Sequence, residues 1–190
     1  MTGYHTPVAA ALHPRLFPAP VTPTGKDEWY TPPSIIEAAR QLMGSIDVDP
    51  ASCAVANRIV RANIFHTAAD DGLHQPWFGN VWCNPPYSAA MTRAFHTKLG
   101  IELDAGRTSK ACFLFGLSYS MHTIDIWGTA DAIVAIAPDQ AREWWGPDTA
   151  GASRQRSTEW PMRFTPLAVA VFGCTIPETR DAFTDLGVVR

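Results

Sequence analysis

The most informative stretch of this sequence is a tetrapeptide, Asn84-Pro85-Pro86-Tyr87, that directly follows the apolar run Val81-Trp82-Cys83. At average residue usage, a match to four chosen residues arises by chance in a chain of this length on the order of one time in a thousand. A proline-rich turn that only ends a strand is the plain structural interpretation. The position after a strand favours a site, because a rigid loop there surrounds one small opening with an amide, two backbone carbonyls and an aromatic face.

These groups suit methyl transfer to an exocyclic amino group such as N6 of adenine. That nitrogen is a poor nucleophile because its lone pair is delocalised into the ring, so it must become pyramidal and gain positive charge as it reacts. The side-chain oxygen of Asn84 and the backbone carbonyl of Pro85 can accept hydrogen bonds from it and stabilise that charge. Pro86 would stiffen the loop, and Tyr87 would stack on a base taken out of the duplex. A strong general base is then unnecessary.

Strands that alternate with helices are predicted around this tetrapeptide. Helices are expected where apolar residues recur at helical spacing, at 31–43, 51–60, 89–99 and 122–129. Strands are expected at apolar or alternating runs, at 45–49, 64–66, 81–83, 111–117, 132–137 and 167–172. This order predicts an α/β fold with a mostly parallel sheet that binds ligands at the carboxyl ends of its strands, where Asp49 and Asn84 would both lie.

Length and composition predict one compact domain, since the chain has 190 residues of which 46% are hydrophobic. Residues 1–26 carry five prolines and no apolar periodicity, so they are expected to form a flexible arm before a single domain at 27–190. The net charge of −3 neither supports nor excludes DNA as a partner. Any nucleic acid must therefore be held by a local basic surface.

The four cysteines show no CxxC pair and no histidine at ligand spacing, which argues against a zinc site. Three of them lie in apolar runs, a pattern typical of reduced, buried thiols in a cytoplasmic protein. The sequence shows no export signal and no apolar run of membrane-spanning length, so no membrane partner is expected. It leaves the oligomeric state open.

The chain resembles the phage-type DNA N6-adenine methyltransferases, a Dam-like family in which the Asn-Pro-Pro-Tyr tetrapeptide is catalytic. The resemblance covers roughly Asp27 to Gly173 and rests on four segments in order, Asp27-Glu28-Trp29-Tyr30-Thr31-Pro32-Pro33, Asp47-Val48-Asp49-Pro50-Ala51-Ser52, Asp71-Gly72-Leu73 and Asn84-Pro85-Pro86-Tyr87. It implies a Rossmann-like class I methyltransferase fold with an antiparallel C-terminal strand, for which 167–172 is the candidate. It also implies S-adenosylmethionine as the cofactor, DNA as the partner and a cytoplasmic location, that of the bacterial host if a phage encodes the chain.

The same resemblance assigns Tyr30, Thr31 and Pro32 to the methionine end of the cofactor. Thr31 before two prolines is also an ordinary helix cap, and the two interpretations are compatible. Asp71 is assigned to the adenine end of the cofactor. Asp70 is adjacent, and the sequence does not separate the two carboxylates.

The resemblance places the first strand and the loop after it at the cofactor, through Asp47, Asp49, Pro50, Ala51 and Ser52. Asp49 ends the strand, where its carboxylate would meet the ammonium group of the methionine moiety, although a simple turn at Asp49-Pro50 is the plain alternative. The glycine-rich loop usual at this place is absent, since Ala51-Ser52-Cys53-Ala54 stands there. Small side chains still permit a close approach of the backbone.

DNA phosphates are expected to meet an arginine after the tetrapeptide and two more in a late polar loop, namely Arg93, Arg154 and Arg156. Other basic residues could also bind phosphate, although each is equally typical of a solvated surface: Arg58, Arg61, Lys98, Arg107 and Lys110. The loop 146–158 follows two tryptophans and is the candidate for base contacts.

Two other functions would use the same sequence features. A methyltransferase that acts on adenine in RNA or on a protein glutamine amide would need the same tetrapeptide. A catalytically inactive nucleic-acid-binding module could keep the fold alone. Such a module would have no chemical need for the amide of Asn84 or the ring of Tyr87.

Overall fold

The computed structural model describes residues 30–117, 121–137, 140, 145–147, 153–155 and 166–190. Five helices lie in these residues: α1 (Pro33–Met43), α2 (Ala54–Val60), α3 (Ala89–Asp104), α4 (Met121–Thr129) and α5 (Ile176–Ala182). The strands there are β1 (Val48–Asp49), β2 (Ile64–Phe65), β3 (Gly79–Cys83), β4 (Thr108–Gly116), β5 (Ala132–Ile136), β6 (Trp145–Pro147), β7 (Ser153–Gln155), β8 (Leu167–Phe172) and β9 (Gly187–Val189). The prediction of an α/β fold is confirmed.

Seven strands form one sheet in the order β2-β1-β3-β4-β8-β5-β9. The strands β1 to β5 all run in the same direction, since the pairs among β2, β1, β3 and β4 are parallel and β8 is antiparallel to both β4 and β5. The run 167–172 therefore forms the antiparallel strand that was expected there. The last strand, β9, pairs antiparallel with β5 and was not predicted.

The parallel strands bring polar residues to the edge of the sheet at which β1, β2 and β3 end, hereafter the carboxyl edge. Val48 is in register with Ile64 of β2 on one side and with Val81 of β3 on the other. Asp49 therefore ends β1 next to the end of β2, and Asn84 follows the last residue of β3. The prediction that both residues lie at this edge is confirmed.

Both faces of the sheet are buried, and successive residues of its central strands face alternate sides. Trp82 packs in the cluster that holds the apolar side of α1, whereas its neighbours Val81 and Cys83 pack in the cluster with α3. Leu114 and Phe113 of β4 divide between the two clusters in the same way. This double burial explains why the central strands read as almost continuous apolar runs.

Helix α1 sets the position of the segment that precedes it. Its buried side chains lie at helical spacing on the side that faces the sheet: Ile35, Ile36, Ala38, Ala39, Leu42 and Met43. Pro33 begins the helix, where a missing N–H costs nothing. Gly44 ends it with a φ of 90°, a left-handed conformation that glycine adopts without strain. The predicted start and end of this helix are thus confirmed to within two residues.

The first strand and the second helix are shorter than predicted. The strand expected at 45–49 is limited to Val48–Asp49, although the backbone N–H of Asp47 still donates to the carbonyl of Asn80 in the approach to it. The helix expected at 51–60 begins at Ala54, since Cys53 caps it and residues 51–53 form a loop. Helix α3 runs five residues beyond the predicted end at residue 99.

Three elements besides β9 were not predicted. A capping box begins α5, in which the Thr175 hydroxyl accepts a hydrogen bond from the backbone N–H of Glu178 and the Glu178 carboxylate accepts one from the backbone N–H of Thr175. The pattern Thr175-x-x-Glu178 is the sequence signature of such a capping box. Strands β6 and β7 pair antiparallel in a sheet of their own, so the prediction of a loop throughout 146–158 is wrong at these strands. The predicted arm at 1–26 lies outside the described residues.

In the part of the chain that the structure describes, no helix is long and apolar enough to cross a membrane. The same residues contain no group of three or more histidine, cysteine, aspartate or glutamate side chains that could hold a metal ion.

Candidate active site

A hydrogen bond joins the segment before α1 to the tetrapeptide after β3. The side-chain nitrogen Nδ2 of Asn84 donates to the hydroxyl Oγ1 of Thr31 over 3.3 Å. Thr31 is buried, with 5% of its surface exposed, and Pro32 beside it is also buried. Pro32 occupies the cap position of α1, and no side-chain hydrogen bond caps this helix. The interpretation of Thr31 as a helix cap is therefore wrong, because its hydroxyl faces Asn84.

The first turn of α3 fixes the tetrapeptide loop. Ser88 caps the helix by accepting a hydrogen bond from the backbone N–H of Met91. The Thr92 hydroxyl donates to the backbone carbonyl of Pro86 over 3.3 Å. Pro85 is buried, and Tyr87 is half-buried with its ring packed against the core cluster on the α1 side of the sheet. The loop is thus held from both of its ends.

Asp49 is a buried carboxyl group at the end of β1, with 2% of its surface exposed. Burial raises its pKa from 3.8 to about 7, although contacts from the Ser52 side chain and the Ala51 backbone N–H lower it in part. Among the described residues, no lysine, arginine or histidine forms an ion pair with this carboxyl group. A buried carboxylate of this kind is stabilised by a cation that arrives with a ligand.

The loop after β1 packs closely on its neighbours. Ser52 donates its backbone N–H to the carbonyl of His66, and Cys53 caps α2 while its Sγ lies 3.5 Å from the Tyr30 hydroxyl. A Cβ atom on Gly72 would lie 1.9 Å from the carbonyl oxygen of Pro50. The close approach that a glycine after the first strand would allow is therefore supplied by a glycine in the neighbouring loop.

The two adjacent aspartates at 70 and 71 have different surroundings. The Asp70 carboxylate accepts hydrogen bonds from the backbone N–H and the hydroxyl of Thr67, and these lower its pKa. Asp71 has a φ of 53° and directly precedes Gly72. Its carboxylate lies 2.6 Å from Nδ1 of His74. Asp70 thus closes its own turn. Asp71 directly precedes Gly72, the residue that lies against Pro50.

A family model for DNA N-6-adenine-methyltransferase (Dam) matches residues 20–115, just over half of the 190 residues. The chain belongs to this Dam family. The matched span contains the Tyr30–Pro32 segment, Asp49, Gly72 and the tetrapeptide. No curated protein and no solved structure matches the chain.

Asp47 lies on the same strand of this Dam-family chain, but the structure places its contacts elsewhere. Its carboxylate accepts hydrogen bonds from the Ser45 hydroxyl over 3.2 Å, the Asn63 side chain over 3.0 Å and the backbone N–H of Asn80 over 2.8 Å. Asn63 and Asn80 stand at the starts of β2 and β3, away from the carboxyl edge. The carboxylate of Asp47 therefore joins the amino ends of three neighbouring strands.

His66 is a residue at the carboxyl edge that the sequence analysis missed. Its backbone N–H donates to the carbonyl of Asp49, and its own carbonyl accepts from Ser52, both over 2.9 Å. Burial lowers the pKa of its side chain, and the charge of Asp70 acts in the opposite direction. A single histidine carries no motif, so the available signal was its position directly after a short strand of the parallel sheet.

The basic residues of this Dam-family chain fall into separate groups. Arg93 is exposed in the second turn of α3, six residues after Tyr87. Lys98 and Arg107 form ion pairs with the buried carboxylate of Glu102. Arg107 precedes β4, so it lies at the amino ends of the strands, opposite the site. Of these three, Arg93 alone is both exposed and close in sequence to the tetrapeptide.

The remaining basic residues named from the sequence also differ in their surroundings. Arg61 pairs with Glu37, Arg58 is exposed on α2, and Lys110 donates to the Leu42 carbonyl near the start of β4. Arg154 lies in β7, where its backbone pairs with Gly146. The side chain of Arg154 and the whole of Arg156 lie outside the described residues, as does most of the loop 146–158.

Proposed function

We propose that this chain is an S-adenosylmethionine-dependent DNA methyltransferase that transfers a methyl group to N6 of adenine. The observation that carries the proposal is the placement of the Asn84-Pro85-Pro86-Tyr87 loop at the carboxyl edge, bonded through Asn84 to the Thr31 segment and following the strand next to that of Asp49. Family membership supports the reaction in general. The amide and carbonyl groups of the loop support an amino group as the acceptor of the methyl group.

We further propose that the fold is a Rossmann-like class I methyltransferase fold. Five strands of the main sheet share one direction, and the single strand inserted among them, β8, runs against both of its neighbours. Ligands of such open α/β sheets bind at the carboxyl ends of the strands. The loops after β1, β2 and β3 are therefore the ones that would hold the cofactor and the base.

The residues at this edge fit S-adenosylmethionine, which when bound supplies a methyl group on a positively charged sulfur. Asp49 has a buried carboxyl group without a cationic partner among the described side chains, and the ammonium group of a methionine moiety would be one. The small residues of the Pro50-Ala51-Ser52 loop and the segment Tyr30-Thr31-Pro32 would line the methionine end. Asp71 would serve the adenine end, because it directly precedes Gly72, the residue that lies against Pro50 of the loop after β1.

Asp47 has no part in the proposed cofactor site. Its carboxylate is bonded to three partners at the amino ends of the strands. We propose instead that it keeps β1, β2 and β3 in register, so that Asp49 and Asn84 arrive at the same edge.

The chemical step rests on hydrogen-bond acceptors. The side-chain oxygen of Asn84 and the backbone carbonyl of Pro85 accept hydrogen bonds from the target amino group, and they stabilise the positive charge that develops as its nitrogen gains the methyl carbon. The extra proton on that nitrogen is acidic, so it passes to water without a strong general base. Pro86 keeps the loop rigid through the bond from Thr92, and Tyr87 offers the exposed part of its ring to the base.

DNA is the proposed substrate, and it would be held by local contacts because the chain carries a net charge of −3. Arg93, exposed on the helix that begins directly after the tetrapeptide loop, is the phosphate ligand that the described residues favour. Arg154 and Arg156 are proposed as further phosphate ligands from their position in the late polar stretch of the sequence.

The proposal is tested by supplying the purified chain with methyl-labelled S-adenosylmethionine together with unmethylated DNA, RNA of the same sequence and a glutamine-containing protein. We expect label in DNA, recovered as N6-methyladenine after digestion to nucleosides. Label in RNA or protein would contradict DNA as the substrate. A chain that neither transfers label nor binds the cofactor would be the non-enzymatic nucleic-acid-binding module.

A further inference from the structure

Thr31 holds a hydroxyl group that helix formation does not use. It lies directly before the cap residue of α1, yet α1 has no side-chain cap, and the hydroxyl instead accepts a hydrogen bond from Nδ2 of Asn84. Both partners lie in the interior of the site, since Thr31 is buried and Asn84 is partly buried. The two residues are 53 positions apart in sequence, so the contact depends on the folded arrangement of β3 and α1.

We infer that Thr31 is a positioning residue, whose hydroxyl holds the Asn84 side-chain amide so that its oxygen faces the target amino group. The inference rests on the proposed function for its catalytic meaning. An amide carries its donor and its acceptor on the same carbon, and a half-turn about the last side-chain bond exchanges them. With Nδ2 directed at Thr31, Oδ1 points away from Thr31. In the reverse orientation the NH2 group would face the N–H groups of the target, and two donors would oppose each other.

The neighbouring residue explains how Thr31 itself is held in place. The Tyr30 hydroxyl lies 3.5 Å from Sγ of Cys53, the residue that caps α2 after the proposed cofactor loop. Pro32 on the other side is buried and fixed by the start of α1. The segment Tyr30-Thr31 thus contacts the loop after β1 through one residue and the loop after β3 through the next. These contacts keep the Thr31 hydroxyl beside the Asn84 amide, where it accepts the hydrogen bond from Nδ2.

The kinetic test compares Thr31→Val with Thr31→Ser, and it uses Thr108→Val as a matched control. Valine keeps the shape of threonine and removes the hydroxyl, whereas serine keeps the hydroxyl. Thr108 is also buried, and its hydroxyl has no hydrogen-bond partner within the described structure at the amino end of β4. We expect Thr31→Val to lower kcat by about three- to tenfold, the effect of one hydrogen bond. Cofactor affinity is measured in parallel, since Thr31 also lies in the segment proposed to line the methionine end, and the inference requires kcat to fall at saturating cofactor.

Thr31→Ser should keep most of the wild-type kcat, and Thr108→Val should keep all of it. A Thr31→Val variant that loses cofactor affinity and retains kcat would overturn the inference, because Thr31 would then line the cofactor without orienting Asn84. Equal kcat losses in Thr31→Ser and Thr31→Val would overturn it as well, since the hydroxyl would not be the group that matters.

A second measurement tests the contact without any methyl transfer. The chain has four asparagines, Asn57, Asn63, Asn80 and Asn84, so selective labelling with ¹⁵N-asparagine gives four side-chain amide pairs in an NMR spectrum. Asn84→Ala identifies the pair of Asn84 by its loss. We expect Thr31→Val to shift that pair and to speed its exchange with water, while the other three pairs and the Thr108→Val spectrum stay as in the wild type.

An Asn84 pair that is the same in Thr31→Val as in the wild type would show that Thr31 does not hold the amide, whatever the activity of the chain. If the wild-type chain methylates no substrate while Thr31→Val shifts the Asn84 pair, the proposed function fails and the orienting contact stands. The two failures are therefore distinguishable.

Discussion

A Cβ atom on Gly72 would lie 1.9 Å from the carbonyl oxygen of Pro50. The loop that carries Asp71 and the loop that follows Asp49 therefore touch through their backbones, at a distance that only glycine permits. The Trp77 indole N–H donates to the Gly72 carbonyl over 2.8 Å and fixes Gly72 from the other side. Both loops belong to the proposed cofactor site, so the shape of that site depends on a residue without a side chain.

Gly72→Ala should separate these two loops. The steric cause is the contact with Pro50, and overpacking of this kind costs about 1–3 kcal/mol. We expect a lower melting temperature and a cofactor affinity reduced about tenfold if about 1.4 kcal/mol of that cost falls on binding. Calorimetric titration with S-adenosylmethionine and thermal unfolding measure the two effects.

Gly100→Ala is the matched control for this substitution, because Gly100 lies inside α3 and a Cβ atom there would meet nothing within 4 Å. Alanine is favoured over glycine inside a helix by about 0.5–1 kcal/mol, so this variant should be slightly more stable and bind the cofactor normally. A Gly72→Ala chain that behaved like Gly100→Ala would contradict the close contact between the loops.

Asp49 should make cofactor binding depend on pH. Its pKa is raised to about 7 by burial, so the free site holds a protonated carboxyl group below pH 7. The ammonium group of a methionine moiety requires the ionised form, so affinity should increase as pH rises toward 7 and should fall again above about pH 8, where a free α-ammonium group loses its proton. Below pH 7 the decline approaches tenfold per pH unit, since one proton is released for each molecule bound. Titrations from about pH 5.5 to about pH 8.5 measure this dependence on both sides of the pKa.

Asp49→Asn is the variant that isolates this carboxyl group. It should bind S-adenosylmethionine more weakly at pH 8, and its affinity should not change around pH 7. The expected pKa lies between about pH 6 and about pH 8. If the wild-type affinity does not change across this range, Asp49 does not meet the cation.

The same carboxyl group should also lower the stability of the ligand-free chain at high pH. Its folded pKa lies above the usual value of 3.8 for this side chain, so the folded state binds more protons than the unfolded state between about pH 4 and about pH 7. This group's contribution to the free energy of unfolding therefore decreases as pH rises through that window. Asp49→Asn should melt at a higher temperature than the wild type at pH 8, and the difference should shrink toward pH 4. An Asp49→Asn chain that is less stable than the wild type at pH 8 would contradict the buried, unpaired state of Asp49.

Arg93 should contribute one phosphate contact to DNA binding. Removing one such contact reduces the slope of log affinity against log salt by about 0.9. Arg93→Ala should therefore weaken binding to any DNA sequence, with the difference from wild type largest at low salt. Arg190→Ala is the control, because Arg190 is also exposed but pairs through its backbone with Ile133 at the start of β5, opposite the site. Fluorescence anisotropy with a labelled duplex at several salt concentrations measures both slopes, and equal slopes for the two variants would exclude the contact.

The sequence was sufficient to predict the sheet and the edge at which the site lies. The run at 167–172 is apolar at every position, and it forms the interior strand β8 with the bounds that were predicted. Asn84 was predicted to follow a strand because Val81-Trp82-Cys83 is apolar and two prolines end it, and β3 ends at Cys83. Local patterns of this kind depend on burial and backbone chemistry, which neighbouring residues determine.

The contacts that define the site could not be predicted from such local sequence patterns. Asp47 and Asp49 stand two positions apart on one strand, and only the distant partners Asn63 and Asn80 show which of them joins the strands. The contact of Gly72 with Pro50 and that of Asn84 with Thr31 likewise join residues far apart in the chain. Contacts of this range follow from the folded arrangement, which no local pattern specifies.

The different roles of the basic residues also could not be predicted from the sequence. Lys98 and Arg107 carry the same charge as Arg93 in the sequence, and they differ only because the structure buries Glu102 against them. A buried carboxylate requires such partners, so these two cations are held in the fold.

The most direct test of the account is the effect of Asn84→Ala on the chemical step. N6-methyladenine formed in DNA during a single turnover is measured by mass spectrometry, and S-adenosylmethionine affinity is measured by calorimetry on the same preparation. We predict that the rate falls on the order of 10²- to 10³-fold, as it does when an enzyme loses one group that stabilises developing charge, and that cofactor affinity is nearly unchanged. An Asn84→Ala chain that methylates adenine at the wild-type rate, or one that loses the cofactor together with the activity, would contradict the role assigned to the tetrapeptide.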